Sequence, residues 1–310
     1  MSEAVLLKRP QPPADFQPFW QSVVAESERL PVIVERVHLS GDDLPTHRVE
    51  RVRWLGADGK GREGWLALPK SPPKPLPAVL YLPGYGVSTV PINENSAFER
   101  HITFSINLHG YAVVPNVPYS PELGYFTQGI ETPATYVYRR IMLDCLLAAR
   151  VLTSLPEVDA SRLTAAGLSQ GGGLAVMMGA WCRLIKAVVA ELPALSYWEY
   201  LLGRPAWRYP LKEFSDYRER HKVPLETLLQ TLQYYDAVNH APYVRVPTQV
   251  SLALKDPGIR APVVFSLYDA LSQPKRLLTY EELGHDWSPE MRPRLEEWSE
   301  SAYRSSPSST

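Results

Sequence analysis

Three stretches near the start of the chain alternate apolar and polar positions: Val32–Leu39, Val49–Leu55 and Gly64–Leu68. A period of two marks strands with one buried face, so this region reads as an antiparallel sheet. Before it, residues 14–30 set Phe16, Phe19, Trp20 and Val23-Val24 along one side of a helix. The proline-rich connection Ser71 to Pro77 ends this pattern. Beyond it, short apolar runs at Ala78–Leu82, Ala112–Val117, Leu163–Ala166, Ala187–Ala190, Thr248–Leu254 and Arg276–Tyr280 read as strands buried on both faces. Helical spacing fills the intervals, most clearly at Pro133–Leu155, where Pro156 ends the run. Strands alternating with helices imply an α/β protein with a mainly parallel central sheet and helices on both faces. The organisation expected is one domain over 1–310. Within it, residues 194–243 interrupt the rhythm as a helical cap insertion rich in Trp, Tyr and Arg, with a helical piece at Leu225–Tyr235.

Composition narrows the partners. The chain has 310 residues, 45% of them hydrophobic, enough for a sizeable core. Thirty-two basic residues meet thirty-three acidic ones for a net charge of -1, and no block of like charge favours nucleic acid. Cys145 and Cys182 lie in apolar helical segments without metal-ligand spacing, as expected of buried thiols in a reducing compartment. Met1 to Pro13 lacks an apolar core of signal-peptide length, and no run approaches a membrane span, so a cytoplasmic location without membrane association is the expectation.

The chemistry concentrates at Gly167-Leu168-Ser169-Gln170-Gly171, followed by Gly172 and Gly173. It fits the G-x-S-x-G nucleophile elbow, in which a serine sits on a strained turn between a strand and a helix. The strand-like Leu163–Ala166 precedes it, and Gly172 to Trp181 is small and apolar enough for a helix packed on a sheet. A Gly-rich turn closing two packed elements is the plain alternative.

A serine hydroxyl needs a histidine to take its proton and a carboxylate to orient that histidine. In α/β-hydrolases the order along the chain is Ser, then Asp or Glu, then His. His38, His47, His101 and His109 precede Ser169 and read as surface or packing residues. His221 and His240 fall in the inserted segment, where a solvated or capping role suits them. His285 remains, on a loop after Arg276–Tyr280, and is the expected general base. Asp256, just past a strand end and followed by Pro257-Gly258, is the expected acid; Asp236 and Asp269 suit surface or cap roles better, and Asp286, adjacent to His285, is expected to face away from it. The oxyanion donors expected are the backbone N–H of Gln170 and an N–H from Leu82-Pro83-Gly84-Tyr85-Gly86.

With these residues in view, the chain from about Asp15 to Trp298 resembles the acetyl xylan esterase and cephalosporin C deacetylase family of α/β-hydrolases. The most specific marker is Gly167-Leu168-Ser169-Gln170-Gly171-Gly172-Gly173. Similar stretches are Asp15 through Trp20, Gly64-Trp65-Leu66, Gly84-Tyr85, Phe126 through Ile130, Tyr136 through Arg140 and Tyr234-Tyr235-Asp236; the spacing from Asp256 to Val264-Phe265 also matches. The resemblance implies Ser169, Asp256 and His285 as nucleophile, acid and base, and the amides of Tyr85 and Gln170 as oxyanion donors. It also implies deacetylation of acetylated sugars and small acetyl esters, often by a homo-hexamer, with no metal or organic cofactor. Three departures stand out. The family's Arg-Gly-Gln brace is missing near Val117–Pro121, its His-Glu becomes His285-Asp286, and its proline pair after the acid becomes Pro257-Gly258-Ile259-Arg260-Ala261.

The expected function is thus a serine esterase releasing acetyl groups from carbohydrate through an acyl-enzyme. A peptidase or carbon–carbon hydrolase with the same residues, and a non-catalytic ligand-binding relative, are the alternatives. Tyr197, Trp198, Trp207 and Tyr209 read equally as a sugar platform or as core packing.

Overall fold

A computed structural model describes residues 9–70, 75–86, 97–108, 124–205 and 208–305. The expected strand Ala112–Val117 and the region Val117–Pro121 lie outside them. Among the described residues one sheet of nine strands dominates: β1 (Val34–His38), β2 (His47–Leu55), β3 (Gly61–Pro69), β4 (Leu76–Leu82), β5 (Ile102–Ile106), β6 (Val158–Leu168), β7 (Ala187–Glu191), β8 (Thr248–Ala253) and β9 (Lys275–Tyr280). Their order across the sheet is β1-β2-β3-β5-β4-β6-β7-β8-β9. β1, β2, β3 and β5 pair antiparallel in succession, and the pairs from β5 through β4 to β9 are parallel. The mainly parallel sheet with an N-terminal antiparallel extension is therefore observed.

Period two along the buried strands sorts side chains to two helical layers. Ala78, Leu80 and Leu82 of β4 join the large core cluster. That cluster includes residues of α1 (Phe16–Arg29), α2 (Val137–Thr153) and α3 (Gln170–Trp181). Val79 of β4, with Ala166 of β6 and Val189 of β7, packs instead with Leu295 of α9 (Met291–Ser305) on the other face. Helices thus cover both faces, as the apolar runs require.

Between β7 and β8 the chain forms α4 (Trp198–Leu202), α5 (Lys212–His221), α6 (Leu225–Leu232) and α7 (Ala237–His240); α8 (Ala261–Ala270) follows β8. Asp236 organises this segment. Its carboxylate accepts from the N–H groups of Tyr197 and Trp198 at 2.8 and 2.9 Å and caps α7 through Val238 N–H at 3.0 Å. It is buried, so of the surface and cap roles expected of it, it fills the cap role. His240, expected to be solvated or capping, is also buried. Its Nδ1 accepts from Trp181 Nε1 at 2.7 Å, which leaves Nε2–H to donate to the Tyr234 carbonyl at 3.0 Å. Burial pushes its pKa down to about 3, so the ring is neutral.

Candidate active site

The C-terminal ends of the parallel strands converge on Ser169, the residue between β6 and α3. Its backbone has φ 58° and ψ −118°, a left-handed conformation that costs a non-glycine residue energy. Three backbone bonds hold it there. Ser169 N–H donates to the Glu191 carbonyl at 2.9 Å, and its own carbonyl accepts from Gly173 N–H at 3.1 Å and Ala194 N–H at 2.9 Å. The glycines around it are steric necessities. A Cβ on Gly171 would lie 1.8 Å from the Leu82 carbonyl oxygen, and one on Gly173 would lie 2.2 Å from that of Ala194.

Two later loops bring the other predicted residues to this turn. Asp256 follows β8 and His285 follows β9. Leu254 N–H donates to the Tyr280 carbonyl at 3.0 Å and Lys255 N–H to that of Leu283 at 3.1 Å, so the two loops run side by side. His285 Nε2 is 2.8 Å from Ser169 Oγ, and Nδ1 is 2.5 Å from Asp256 Oδ2. A carboxylate can only accept here, so Nδ1 carries the proton and Nε2 is left to accept from the serine hydroxyl. The second oxygen, Oδ1, accepts from Gly258 N–H at 2.8 Å and Ile259 N–H at 2.9 Å, which fixes the carboxylate rotamer. The structure therefore brings Ser169, Asp256 and His285 into one contiguous chain of hydrogen bonds.

Gln170 opens α3, where the first N–H groups of a helix have no intrahelical acceptor. Its side chain is wholly buried and ties the early loop to the elbow: Nε2 donates to the Pro83 carbonyl at 3.3 Å. Its Oε1 accepts from Tyr125 Oη–H at 2.9 Å and Tyr138 Oη–H at 2.5 Å. Burial raises the Tyr138 phenol well above its ordinary range, so it stays a donor. Tyr85, on that early loop, stacks on Tyr125 and Phe126 at centroid distances of 4.2 and 4.1 Å. Its hydroxyl donates to Glu213 Oε1 at 2.5 Å. Sequence reasoning assigned no role to Tyr125, Tyr138 or Glu213. Tyr138 lies inside a stretch that carried the family resemblance, which was the only signal available for it.

A cavity of about 280 Å³ opens over Ser169 and His285, floored by Gln170 and walled by Tyr85, Phe126 and the 194–243 segment. Of the four aromatic residues singled out there, Trp198 and Tyr209 line the cavity; Tyr197 is buried without lining it, and Trp207 lies outside the described residues. Trp198 packs on Phe126 and Phe214, so core packing accounts for most of its surface. Behind the elbow, burial pushes the Glu191 carboxyl up to about 7. Among the described residues no group of three His, Cys, Asp or Glu is arranged to hold a metal ion, and no helix is long and apolar enough to cross a membrane. Cys145 and Cys182 are buried and unpaired by disulfide.

The sheet order, the strand–serine–helix turn and the flanking helices define an α/β-hydrolase fold, which solved structures of similar shape share. The family model for acetyl xylan esterase (AXE1) matches residues 7–301, and the chain belongs to that family. Acetyl esterase Axe7A of Xylanibacter ruminicola is 25% identical over 279 residues; the match covers 86% of this chain but only 62% of that longer protein. The acetyl xylan esterase from Paenibacillus sp. R4 superimposes with a TM-score of 0.86 at 27% identity, covering 94% of this chain and 96% of that one. Acetyl xylan esterase 1 from Thermoanaerobacterium sp. JW/SL YS485 has the same fold, with a TM-score of 0.81 at 22% identity over 95% of this chain and 96% of its own.

Proposed function

We propose that this protein is a serine esterase that removes acetyl groups from acetylated carbohydrates, such as acetyl xylan and its oligosaccharides, and from small acetyl esters of the cephalosporin C type. The supporting observation is His285 spanning Ser169 Oγ and Asp256 Oδ2 at 2.8 and 2.5 Å at the mouth of a small cavity. Ser169 Oγ attacks the ester carbonyl carbon as its proton passes to His285 Nε2. Asp256 keeps the imidazole in the tautomer that can accept it and stabilises the imidazolium. The carbonyl oxygen gains the negative charge and meets the N–H groups of Tyr85 and Gln170, each such donor being worth roughly 3 kcal/mol of barrier. Collapse breaks the bond to the alcohol oxygen, which takes the proton from Nε2. Water, deprotonated by His285, then attacks the acetyl group on Oγ, releasing acetate and restoring the hydroxyl.

On this reading residues 194–243 cap the cavity of a single-domain enzyme, which assembles with copies of itself, a hexamer being what the family resemblance implies. Acetate release from p-nitrophenyl acetate and from acetylated xylo-oligosaccharide, by wild type beside Ser169→Ala, tests the proposal. Serine-dependent release from both supports it. Release from the activated ester alone would redirect the search to another alcohol. Folded protein that releases nothing and is not labelled by a fluorophosphonate would overturn the esterase reading in favour of a ligand-binding protein.

A further inference from the structure

The chain as a whole is electrically balanced, with a net charge of -1, but the cavity over Ser169 is not. Arg204, Arg208 and Arg260 all contribute to its lining, and among the described residues no aspartate or glutamate does. The three residues reach it from two directions. Arg204 and Arg208 come from the segment between α4 and α5. Arg260 comes from the turn after Asp256, the place where the chain departs from its family's proline pair.

These positions are held. The Arg204 guanidinium lies over the Tyr200 ring, its Cζ 4.0 Å from the centroid, which orients the fork and leaves its N–H edges available. The turn leading to Arg260 is fixed by the two backbone bonds to Asp256 Oδ1. Several other surface arginines find carboxylates, as Arg36 does with Glu50 and Glu157, Arg162 with Asp159 and Arg183 with Glu28. Among the described residues Arg204 and Arg260 form no such pair, although both are exposed to the cavity mouth.

Like charges gathered in a concave site with low-dielectric walls focus a positive field on whatever enters. The guanidinium fork matches a carboxylate bidentately, and such charge-assisted bonds are the strong ones. A neutral acetylated pentose can accept from those N–H groups through its hydroxyls, but without the charge-assisted gain.

We propose that the preferred substrate is an acetyl ester whose alcohol part carries a carboxylate, as in an acetylated saccharide bearing a uronic acid. Arg260 and Arg204 grip that carboxylate while the acetyl group lies at Ser169. The inference rests on the esterase reading above and narrows its substrate class.

A matched pair of substrates tests it: mono-O-acetyl glucuronic acid and its methyl ester, the same sugar with the anion present or masked. At low ionic strength kcat/KM for the free acid is expected to exceed that for the methyl ester by about tenfold or more, as one charge-assisted bond of roughly 1.5–3 kcal/mol implies. The ratio shrinks in 0.5 M salt, where the screening length falls to a few ångströms. Arg260→Gln and Arg204→Gln each lower the ratio several-fold, chiefly through KM for the acid. Equal rates on the two esters, or a preference for the methyl ester, would overturn the anionic-substrate inference and leave the esterase standing. Absence of Ser169-dependent acetate release from either sugar, with p-nitrophenyl acetate still hydrolysed, would overturn this inference alone; loss of that activity and of fluorophosphonate labelling as well would overturn the esterase reading with it.

Discussion

Tyr85 and Glu213 meet across 128 residues of sequence, the tyrosine hydroxyl donating to the carboxylate at 2.5 Å. The same hydroxyl accepts from Tyr125 N–H at 2.8 Å, and the second carboxylate oxygen accepts from Phe126 N–H at 3.0 Å. Glu213 is buried, and Gly124 makes room for it: a Cβ there would sit 2.1 Å from the carboxyl group. A helix of the 194–243 segment thus holds the loop expected to supply an oxyanion donor.

Glu213→Ala leaves the Tyr85 hydroxyl and the Phe126 amide without this acceptor. The expected result is a fall in kcat of about 10–100-fold on p-nitrophenyl acetate with KM little changed, since a misplaced donor harms the transition state more than the ground state. Stability should drop by about 1–3 kcal/mol. Glu213→Gln, which can still accept from Tyr85, should fall between. A kcat equal to wild type in a folded Glu213→Ala variant would show that the tether does not position the loop.

Gly171→Ala forces a methyl group against the Leu82 carbonyl, an atom of the sheet backbone that cannot swing aside. Loss of more than 100-fold in kcat/KM is expected, with a clear drop in melting temperature. Gly41→Ala is the control, because a Cβ there meets nothing within 4 Å. Parallel thermal melts and ester assays decide the matter, and a Gly171→Ala enzyme as active as wild type would contradict the packing described.

Glu191 gives stability a pH dependence of definite sign. Its carboxyl titrates at about 7 in the fold against 4.5 ordinarily, with burial as the main cause. Between those values the folded chain binds a proton that the unfolded chain has released, so stability falls as pH rises across the window. The loss is complete above about pH 7 and is on the order of 3 kcal/mol. Glu191→Gln should therefore be the more stable protein at pH 8, with the advantage shrinking toward pH 5. Urea unfolding at the two values measures it, and comparison with wild type cancels other titrating groups such as His240. An advantage that grows toward acid would contradict the assignment.

Arg62 and Asp144 form an ion pair at 2.8 Å, both side chains 1% exposed, that locks β3 to α2. Arg62→Ala leaves the buried Asp144 carboxylate with Arg140 alone, at 3.2 Å, so it should cost about 3 kcal/mol, read by chemical denaturation. The double variant Arg62→Met, Asp144→Leu should recover much of the loss. A single variant as stable as wild type would show that water reaches the pair.

Local signals carried far in this chain. The glycines around Ser169, the run Thr248–Leu254 and the loop position of His285 each follow from short-range rules, and they led to the residues that the fold gathers. Boundaries shifted where side chains or turns intervened. The helix expected from Pro133 begins at Val137, because Thr132–Tyr136 turns on its own hydrogen bonds. The strand expected at Leu163 begins at Val158, beyond an irregularity in its pairing with β4. Strand β5 was passed over although Ile102, Phe104 and Ile106 alternate with polar residues, and α9 was not identified from its pattern. Glu213, Tyr125 and Tyr138 were illegible for a different reason. Nothing in an isolated glutamate tells which distant phenol it will meet, since that depends on how the inserted segment folds over the sheet.

The left-handed backbone at Ser169 sets fold and chemistry against each other. A residue without a Cβ would occupy that turn without strain, so Ser169→Gly is expected to unfold at higher denaturant than Ser169→Ala, by about 1 kcal/mol. The turn is therefore most relaxed with no side chain at the position where the proposed chemistry requires one. Its working form is a compromise, kept under tension by the three backbone bonds that hold the turn closed.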